Sequence, residues 1–270
     1  ALSSKECDVT NKEDVRSVLE AHQPELIVNC AVILDVDACE ADPARCYAIN
    51  RDGVRHVLEG IIATTIHPIF VQISSSETFG RVHEGEYNPM GYKENDEQRP
   101  ASVYQKSKKE AEDILLEFVK KHPDALKTWY IPRAGWLYGE GRTTFVDRFV
   151  ELLQKKEPLT VVKDQWRSPT WTRDFAEGLY DLIDKRYPSG IYHVVNEVKP
   201  GEATTMDVIE EIEKFLGPRA AYPPKKMVAF KDFFKVPRAP SNVLVNTKLP
   251  PLRYWRDAMQ EYLRERYPRA

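Results

Sequence analysis

The chain has 270 residues, which is enough for one large domain or two smaller lobes with a full hydrophobic core. Charged residues make up 30 % of it, both signs are mixed, and the net charge is -3, so no polyanion-binding surface is indicated and nucleic acid is not an expected partner. The cysteines form no Cys-x-x-Cys pair, and the histidines do not cluster, so we expect reduced thiols in a cytoplasmic protein without a metal site. No apolar run approaches the roughly 18 residues of a membrane span, and no signal-peptide pattern is present, so no membrane partner is expected.

Strand and helix signals alternate along most of the chain. Short apolar, β-branched runs predict buried parallel strands at 26–31, 69–73, 128–131, 159–162 and 190–195. Capping residues and apolar residues at helical period predict helices at 11–22, 43–64, 103–121, 144–155, 172–185, 205–216 and 253–266. Loops are predicted at the acid-rich segment 35–42 and the polar segment 81–102. The alternation predicts an α/β fold with a parallel sheet and right-handed crossovers, followed by a smaller C-terminal lobe.

Tyr104 and Lys108 lie four residues apart in the predicted helix 103–121. One helical turn would bring the ammonium close to the phenol and lower the pKa of the phenol, which would make a proton donor usable near neutral pH. The spacing alone is weak evidence for a catalytic pair, because Tyr222 and Lys226 have the same spacing. Two prolines between Tyr222 and Lys226 exclude a helix there. The alternative for Tyr104 and Lys108 is an ordinary surface pair one turn apart.

A run of three serines, Ser74 to Ser76, follows the predicted strand 69–73. Taken alone, such a run is typical of a polar turn between a strand and a loop. Ligands of open α/β sheets bind outside the carboxyl ends of the strands, and this run lies at such an end. Together with Tyr104 it therefore indicates a candidate active site.

Several short stretches, in order, resemble the extended short-chain dehydrogenase/reductase family. Within that family the dTDP-4-dehydrorhamnose reductases are the most similar branch, which is favoured by Arg133-Ala-Gly-Trp-Leu-Tyr-Gly139 and by Asp164-Gln165 with Pro169-Thr170. The matching stretches are 8–11, 28–31, 36–43, 49–50, 73–75, 104–108, 133–139, 161–170 and 190–193. Departures from the family pattern are Ser76 in place of aspartate, Gln105 in place of glycine and Arg167 in place of glycine.

The resemblance implies a Rossmann-like parallel sheet, although the first βαβ segment with its glycine-rich turn is not in this sequence and is expected in the natural protein. It implies a dinucleotide-binding domain at 1–142, with 143–270 mixed. Within that second part, 159–198 would return to the Rossmann sheet, and 143–158 together with 199–270 would form the substrate-binding lobe. A homodimer is expected from the family alone.

The implied activity is hydride transfer from NADPH or NADH to the C4 ketone of a nucleotide-linked 4-keto-6-deoxy sugar, a step of dTDP-L-rhamnose biosynthesis. Tyr104 would protonate the developing alkoxide, Ser75 would hydrogen-bond the same oxygen, and Lys108 would hold the nicotinamide ribose and lower the pKa of the phenol. The implied cofactor-binding residues are Asp8, Val9, Cys30, Ala31, Tyr104 and Lys108. The implied substrate-binding residues are Ser76, Trp136, Asp164, Gln165 and Arg238.

Two alternatives stay open at the level of sequence. One is an epimerase or dehydratase that keeps its nicotinamide bound, because 74–80 also resembles the strand end of those relatives; a dehydratase needs an acid directly before Glu77, where this chain has Ser76. The other is a non-catalytic regulatory subunit of the same fold, similar to the β subunit of methionine adenosyltransferase.

Overall fold

The computed structural model describes residues 1–80, 88, 90–217 and 222–268, which form two compact units. Unit 1 contains 1–80, 98–133 and 188–192, and unit 2 contains most of the remaining residues. In this part of the chain no helix is both long and apolar enough to span a membrane. Over the same residues, no group of three or more His, Cys, Asp or Glu side chains could hold a metal ion. All four cysteines are free thiols.

Unit 1 is built on a parallel sheet with the strand order β1-β2-β4-β3, and a further strand, β8, pairs with β4. β1 pairs in parallel with β2, and β2 pairs in parallel with β4. The strands are β1 (Leu26–Asn29), β2 (Ile69–Gln72), β3 (Ser74–Ser75), β4 (Thr128–Ala134) and β8 (Gly190–Val194). The α/β class and the parallel sheet predicted from the sequence are confirmed.

Helices pack on this sheet through apolar stripes. They are α1 (Lys12–His22), α2 (Val36–Ala41), α3 (Pro43–Tyr47), α4 (Gly53–Thr64) and α5 (Val103–Lys121). The core joins Val15 and Leu19 of α1, Leu58 of α4 and Leu115 of α5 to Phe70 of β2. The helix predicted at 43–64 contains a π-helical segment at Ala48–Asp52, and the acidic segment predicted as a loop forms α2 because Asp35 caps it.

Unit 2 consists of paired short strands and five helices among its described residues. The parallel pairs join β5 (Trp136–Tyr138) to β7 (Pro169–Trp171), β6 (Leu159–Val162) to β10 (Lys225–Val228), and β9 (Asn196–Glu197) to β11 (Leu252–Tyr254). The helices are α6 (Phe145–Lys155), α7 (Thr172–Asp184), α8 (Thr205–Leu216), α9 (Phe230–Phe233) and α10 (Trp255–Arg266). A separate core, rich in aromatic side chains, includes Tyr138, Trp171, Trp255 and Tyr262.

Two expectations about the strands are corrected. Of the segment 159–198, only β8 joins the large sheet, because β6 pairs with β10 and β7 pairs with β5. A short apolar run predicts a strand but not its neighbour, and 225–228, which begins with two lysines, gives no strand signal of its own. β1 is also less buried than expected: Leu26 and Val28 are 43 % and 39 % exposed, and among the described residues β1 has one strand neighbour, β2.

Candidate active site

Tyr104 lies in the first turn of α5, and the start of this helix is fixed by a capping box. The Ser102 hydroxyl accepts from the Gln105 N–H at 3.4 Å, and Gln105 Oε1 accepts from the Ser102 N–H at 3.2 Å. The Tyr104 side chain is buried, with 4 % of its surface exposed. The sequence prediction of a helix at 103–121 is confirmed, and its local capping holds the backbone of Tyr104 in place.

Ser75 ends the short strand β3 and caps the 3-10 turn Ser76–Phe79 that follows. Its Oγ accepts from the Glu77 N–H at 3.2 Å. The Ser75 hydroxyl also lies close enough to the Tyr104 phenol to lower its pKa by hydrogen bonding. The structure therefore brings together the serine and the tyrosine that the sequence singled out, although 28 residues separate them in the chain.

The expectation that Lys108 lowers the pKa of Tyr104 is wrong for this structure. Burial, and after it the nearby carboxylate of Glu77, raise the pKa of the phenol well above its ordinary value, and the hydrogen bond to Ser75 offsets this only in part. The ammonium of Lys108 instead donates to the carbonyl oxygen of Ile73 at 2.7 Å. Tyr104 consequently holds its proton firmly at neutral pH, as a proton donor must.

Lys108 is a buried amine at the carboxyl end of β2. Burial lowers its pKa to about 8, against the opposing influence of the Glu112 carboxylate. Cys30 directly follows β1, and burial raises the pKa of its thiol. The nearby ammonium of Lys108 opposes this rise. Lys108, Cys30 and the adjoining Ala31 thus lie at the ends of two neighbouring strands, where open α/β sheets bind ligands.

A buried ion pair between Glu112 and Arg133 lies next to the candidate site. The sequence had not indicated this pair. Glu112 accepts from Arg133 Nε at 2.9 Å and from Arg133 Nη2 at 2.7 Å, and both side chains are at most 2 % exposed. The same carboxylate accepts from the Ser74 hydroxyl at 2.5 Å and from the Gln98 amide at 2.9 Å. A signal was available, because Glu112 lies on the face of α5 that carries Tyr104 and Lys108, one further turn along.

Asp8 and Val9, the other two residues implied for cofactor binding, have local structural contacts. The Asp8 carboxylate accepts from the backbone and the hydroxyl of Thr10, at 2.9 and 2.8 Å. The carbonyl of Val9 lies 2.8 Å from Nδ1 of His56 on α4, and its side chain packs on Gly53. These contacts fix the entry into α1 rather than bring either residue to Tyr104.

The residues implied for substrate binding divide between the units. Ser76 belongs to unit 1 and is buried in the turn after Ser75. Trp136 belongs to unit 2 and stacks on Phe145 with 3.4 Å between ring centroids, while the guanidinium of Arg167 lies 5.4 Å from its ring. Trp136 therefore packs on an aromatic ring and lies near a cation.

Asp164, Gln165 and Arg238 meet at a single segment of unit 2, residues 230–239. The Asp164 carboxylate accepts from the Phe230 N–H at 2.7 Å, and the Gln165 amide donates to the Ala239 carbonyl at 3.3 Å. The Arg238 guanidinium lies 4.8 Å from the ring of Phe234 within this segment. Asp164 and Gln165 thus anchor the segment at both ends through its backbone.

A serine at the end of a strand, close to the tyrosine of a helical Tyr-x-x-x-Lys motif, is typical of the extended short-chain dehydrogenase/reductase class. A family model described as the RmlD substrate binding domain matches residues 1–267. The chain belongs to this family.

Relatives and solved structures agree with this assignment. The chain is 33 % identical to a dTDP-4-dehydrorhamnose reductase of Streptomyces griseus, covering 97 % of this chain and 83 % of the relative. It is 31 % identical to the spore coat polysaccharide biosynthesis protein SpsK of Bacillus subtilis, covering 98 % and 88 %. A crystal structure of a dTDP-4-dehydrorhamnose reductase from Clostridium acetobutylicum superposes with a TM-score of 0.82 at 29 % identity, covering 97 % and 88 %. A second such reductase, from Bacillus anthracis in complex with NADP, gives 0.82 at 25 % identity, covering 98 % and 89 %.

Proposed function

We propose that the protein is an NAD(P)H-dependent reductase of the C4 ketone of a dTDP-linked 4-keto-6-deoxy sugar. The observation that carries this proposal is the buried Tyr104 phenol beside the Ser75 hydroxyl, with Lys108 one turn further along the same helix. Support comes from relatives named as dTDP-4-dehydrorhamnose reductases and from one of 30 % identity named as a dTDP-4-keto-6-deoxy-D-glucose reductase. The bound NADP of the Bacillus anthracis structure supports the choice of a nicotinamide cofactor.

In the proposed reaction, Tyr104 and Ser75 act on the oxygen of the ketone. The Tyr104 phenol donates its proton to the oxygen as negative charge develops there. The Ser75 hydroxyl stabilises the same charge by a hydrogen bond, which is worth more in a site that excludes water. The phenol is protonated at neutral pH and can donate to the alkoxide that forms beside it; its raised pKa makes it a weaker acid than an ordinary phenol, so the transfer depends on the charge that develops on the oxygen.

The ends of β1 and β2 have the donor set that a dinucleotide needs on its nicotinamide side. Lys108 offers an ammonium to ribose hydroxyls, and Cys30 and Ala31 border the same strand ends. A reduced nicotinamide bound there supplies the hydride. We assign Asp8 and Val9 an indirect part, because their contacts to Thr10 and His56 hold α1 and α4 beside these strands.

For the sugar nucleotide we propose direct contacts with Ser76, Trp136 and Arg238. Arg238 supplies a guanidinium suited to a diphosphate, and Trp136 supplies an apolar face suited to a sugar ring. Asp164 and Gln165 contribute by fixing the segment that carries Arg238, since their side chains bond its backbone at Phe230 and Ala239.

The dehydratase alternative is less well supported. It requires an acid before Glu77, where the chain has Ser76, and the Glu77 carboxylate already accepts a hydrogen bond from the Gln105 amide at 2.8 Å. The regulatory-subunit alternative predicts a folded protein without turnover, and the following experiment decides it.

The test measures NADPH and NADH oxidation by the full-length protein that contains this chain, given a dTDP-4-keto-6-deoxyhexose. Turnover is expected, and Tyr104→Phe should lower kcat by roughly 10²- to 10⁴-fold, the usual range for loss of a general acid. Tyr222→Phe is the matched control: that tyrosine begins the second Tyr-x-x-x-Lys spacing, but its hydroxyl bonds the carbonyls of Glu213 and Gly217. The control should keep full activity. A wild-type protein that binds NADPH yet reduces no 4-keto sugar nucleotide would refute the proposal.

A further inference from the structure

Gln105 directly follows the catalytic candidate Tyr104, and its side-chain amide makes three hydrogen bonds. Its Oε1 accepts from the Ala101 N–H at 2.8 Å and from the Ser102 N–H at 3.2 Å. Its Nε2 donates to Oε2 of Glu77 at 2.8 Å. The side chain is completely buried, so these bonds are not exchanged with water.

The turn that contains Glu77 closes directly on this amide. A Cβ placed on Gly80 would lie 2.2 Å from Oε1 of Gln105, so only glycine allows the approach. Glu77 and Gly80, the second and the last residue of the segment 76–80, therefore both contact one side chain of α5. The start of the same turn is capped by Ser75.

We propose that Gln105 and Glu77 form a positioning clamp that sets the distance between the Tyr104 phenol and the Ser75 hydroxyl. The proposal rests on the proposed reductase function. Gln105 is the immediate neighbour of Tyr104, and Glu77 stands two residues after Ser75. The hydrogen bond between Gln105 and Glu77 joins the first turn of α5, which carries Tyr104, to the 3-10 turn that follows Ser75.

The clamp has an electrostatic consequence as well as a geometric one. The charged and titratable groups around the phenol are Glu77 of the turn, Cys39 of α2, Cys46 of α3 and, one turn along α5, Lys108. Both thiols are buried and free, so Glu77 is the anion that favours the protonated phenol. Burial raises the pKa of Tyr104 most, and the Glu77 carboxylate, held by Gln105, adds to that rise.

Three variants test the clamp through their separate effects on kcat and KM. Gln105→Met removes the bond and should lower kcat at least tenfold with KM for the sugar nucleotide within about threefold, since misplacement by an ångström can slow catalysis by two orders of magnitude. Glu77→Gln keeps an acceptor for Gln105 but removes the charge. It should retain most of kcat, because the bond that positions the two groups is kept. The double variant Gln105→Met with Glu77→Gln should lose no more in kcat than Gln105→Met alone, because both act through one bond.

The control is Gln260→Met, which removes part-buried bonds from an amide to the carboxylate and to the carbonyl oxygen of Glu211 in unit 2, at 2.8 and 2.9 Å. It should change stability without changing kcat or KM. If the wild type reduces the 4-keto sugar but Gln105→Met behaves like this control, the clamp is wrong and the proposed function stands. If Gln105→Met does not fold, Glu77→Met, which removes the same bond from the carboxylate side, takes its place, and an unchanged kcat in that variant overturns the proposal. A wild type without turnover refutes the proposed function instead.

Discussion

The two groups of residues that the sequence singled out are built differently. In unit 1, buried polar groups surround Tyr104, Lys108 and Ser75. Their hydrogen bonds involve these three residues and the neighbouring Ser74. In unit 2, Asp164 and Gln165 bond the backbone of one segment and hold its shape. In unit 1 a buried polar network surrounds the proposed proton donor, whereas in unit 2 the two anchors shape the segment that carries Arg238, which we propose as a sugar-nucleotide contact.

The largest expected effect follows from breaking the buried ion pair of unit 1. Glu112→Met leaves the Arg133 guanidinium buried without its carboxylate and should lower the free energy of unfolding by about 3–5 kcal/mol. Urea unfolding measures this change. The double variant with Arg133→Met should recover part of the loss, because no charge is then left unpaired.

A surface pair of unit 2 provides the contrast. Glu265 accepts from Arg173 at 2.6 Å, but both side chains are more than 40 % exposed. Glu265→Gln should therefore leave the unfolding midpoint nearly unchanged, because exposed pairs are screened by water and salt. If Glu112→Met and Glu265→Gln lowered the free energy of unfolding equally, the buried pair of unit 1 would be no more important for stability than the exposed pair of unit 2.

A second prediction concerns Lys108 and pH. Its pKa is about 8 in the folded protein, against 10.5 for an ordinary lysine, so the unfolded chain binds the proton more tightly. The free energy of unfolding should rise between pH 8 and pH 10.5, and the full penalty, present below pH 8, is about 3 kcal/mol. Lys108→Met should remove this rise.

The difference in unfolding free energy between Lys108→Met and the wild type should therefore shrink as the pH rises from 8 to 10.5. Comparing the two proteins cancels the opposite contribution of Tyr104, whose raised pKa makes stability fall above pH 10. A constant difference across this range would show that Lys108 is not desolvated as the structure has it.

The smallest expected effect is in unit 2. Asp164→Ala removes the acceptor of the Phe230 N–H and should lower the free energy of unfolding by about 1 kcal/mol. KM for the sugar nucleotide should rise several-fold with kcat little changed. Asp164→Asn keeps a carbonyl acceptor and should restore both values. If Asp164→Asn raised KM as much as Asp164→Ala while remaining as stable as the wild type, the carboxylate would contact the ligand directly.

Much of the fold could be predicted because its signals are local. The helix α5 is specified by Ser102, Gln105 and an apolar stripe within nineteen residues, and its ends match the prediction. The strand partners could not be predicted in the same way. β6 is as apolar as β2, but its neighbour is a segment that begins with Lys225 and Lys226, and pairing depends on contacts distant in the chain.

Part of the candidate site followed from the sequence as well. The spacing of Tyr104 and Lys108 and the position of Ser75 at a strand end identified the central residues. The sequence did not identify the support that Glu112 and Arg133 give to Ser74, because nothing local shows that a helix carboxylate and a strand guanidinium will be buried together.

The sequence alone predicted most of the longer helices and strands and their order, and it singled out Tyr104, Ser75 and Lys108 as candidate site residues, because capping, periodicity and motif spacing act over a few residues. Tertiary structure alone decided that the pKa of Tyr104 is raised rather than lowered, and that Gln105 reaches Glu77. The physical reason is that desolvation and long-range hydrogen bonds depend on which surfaces are removed from water together, and only the packed fold decides that.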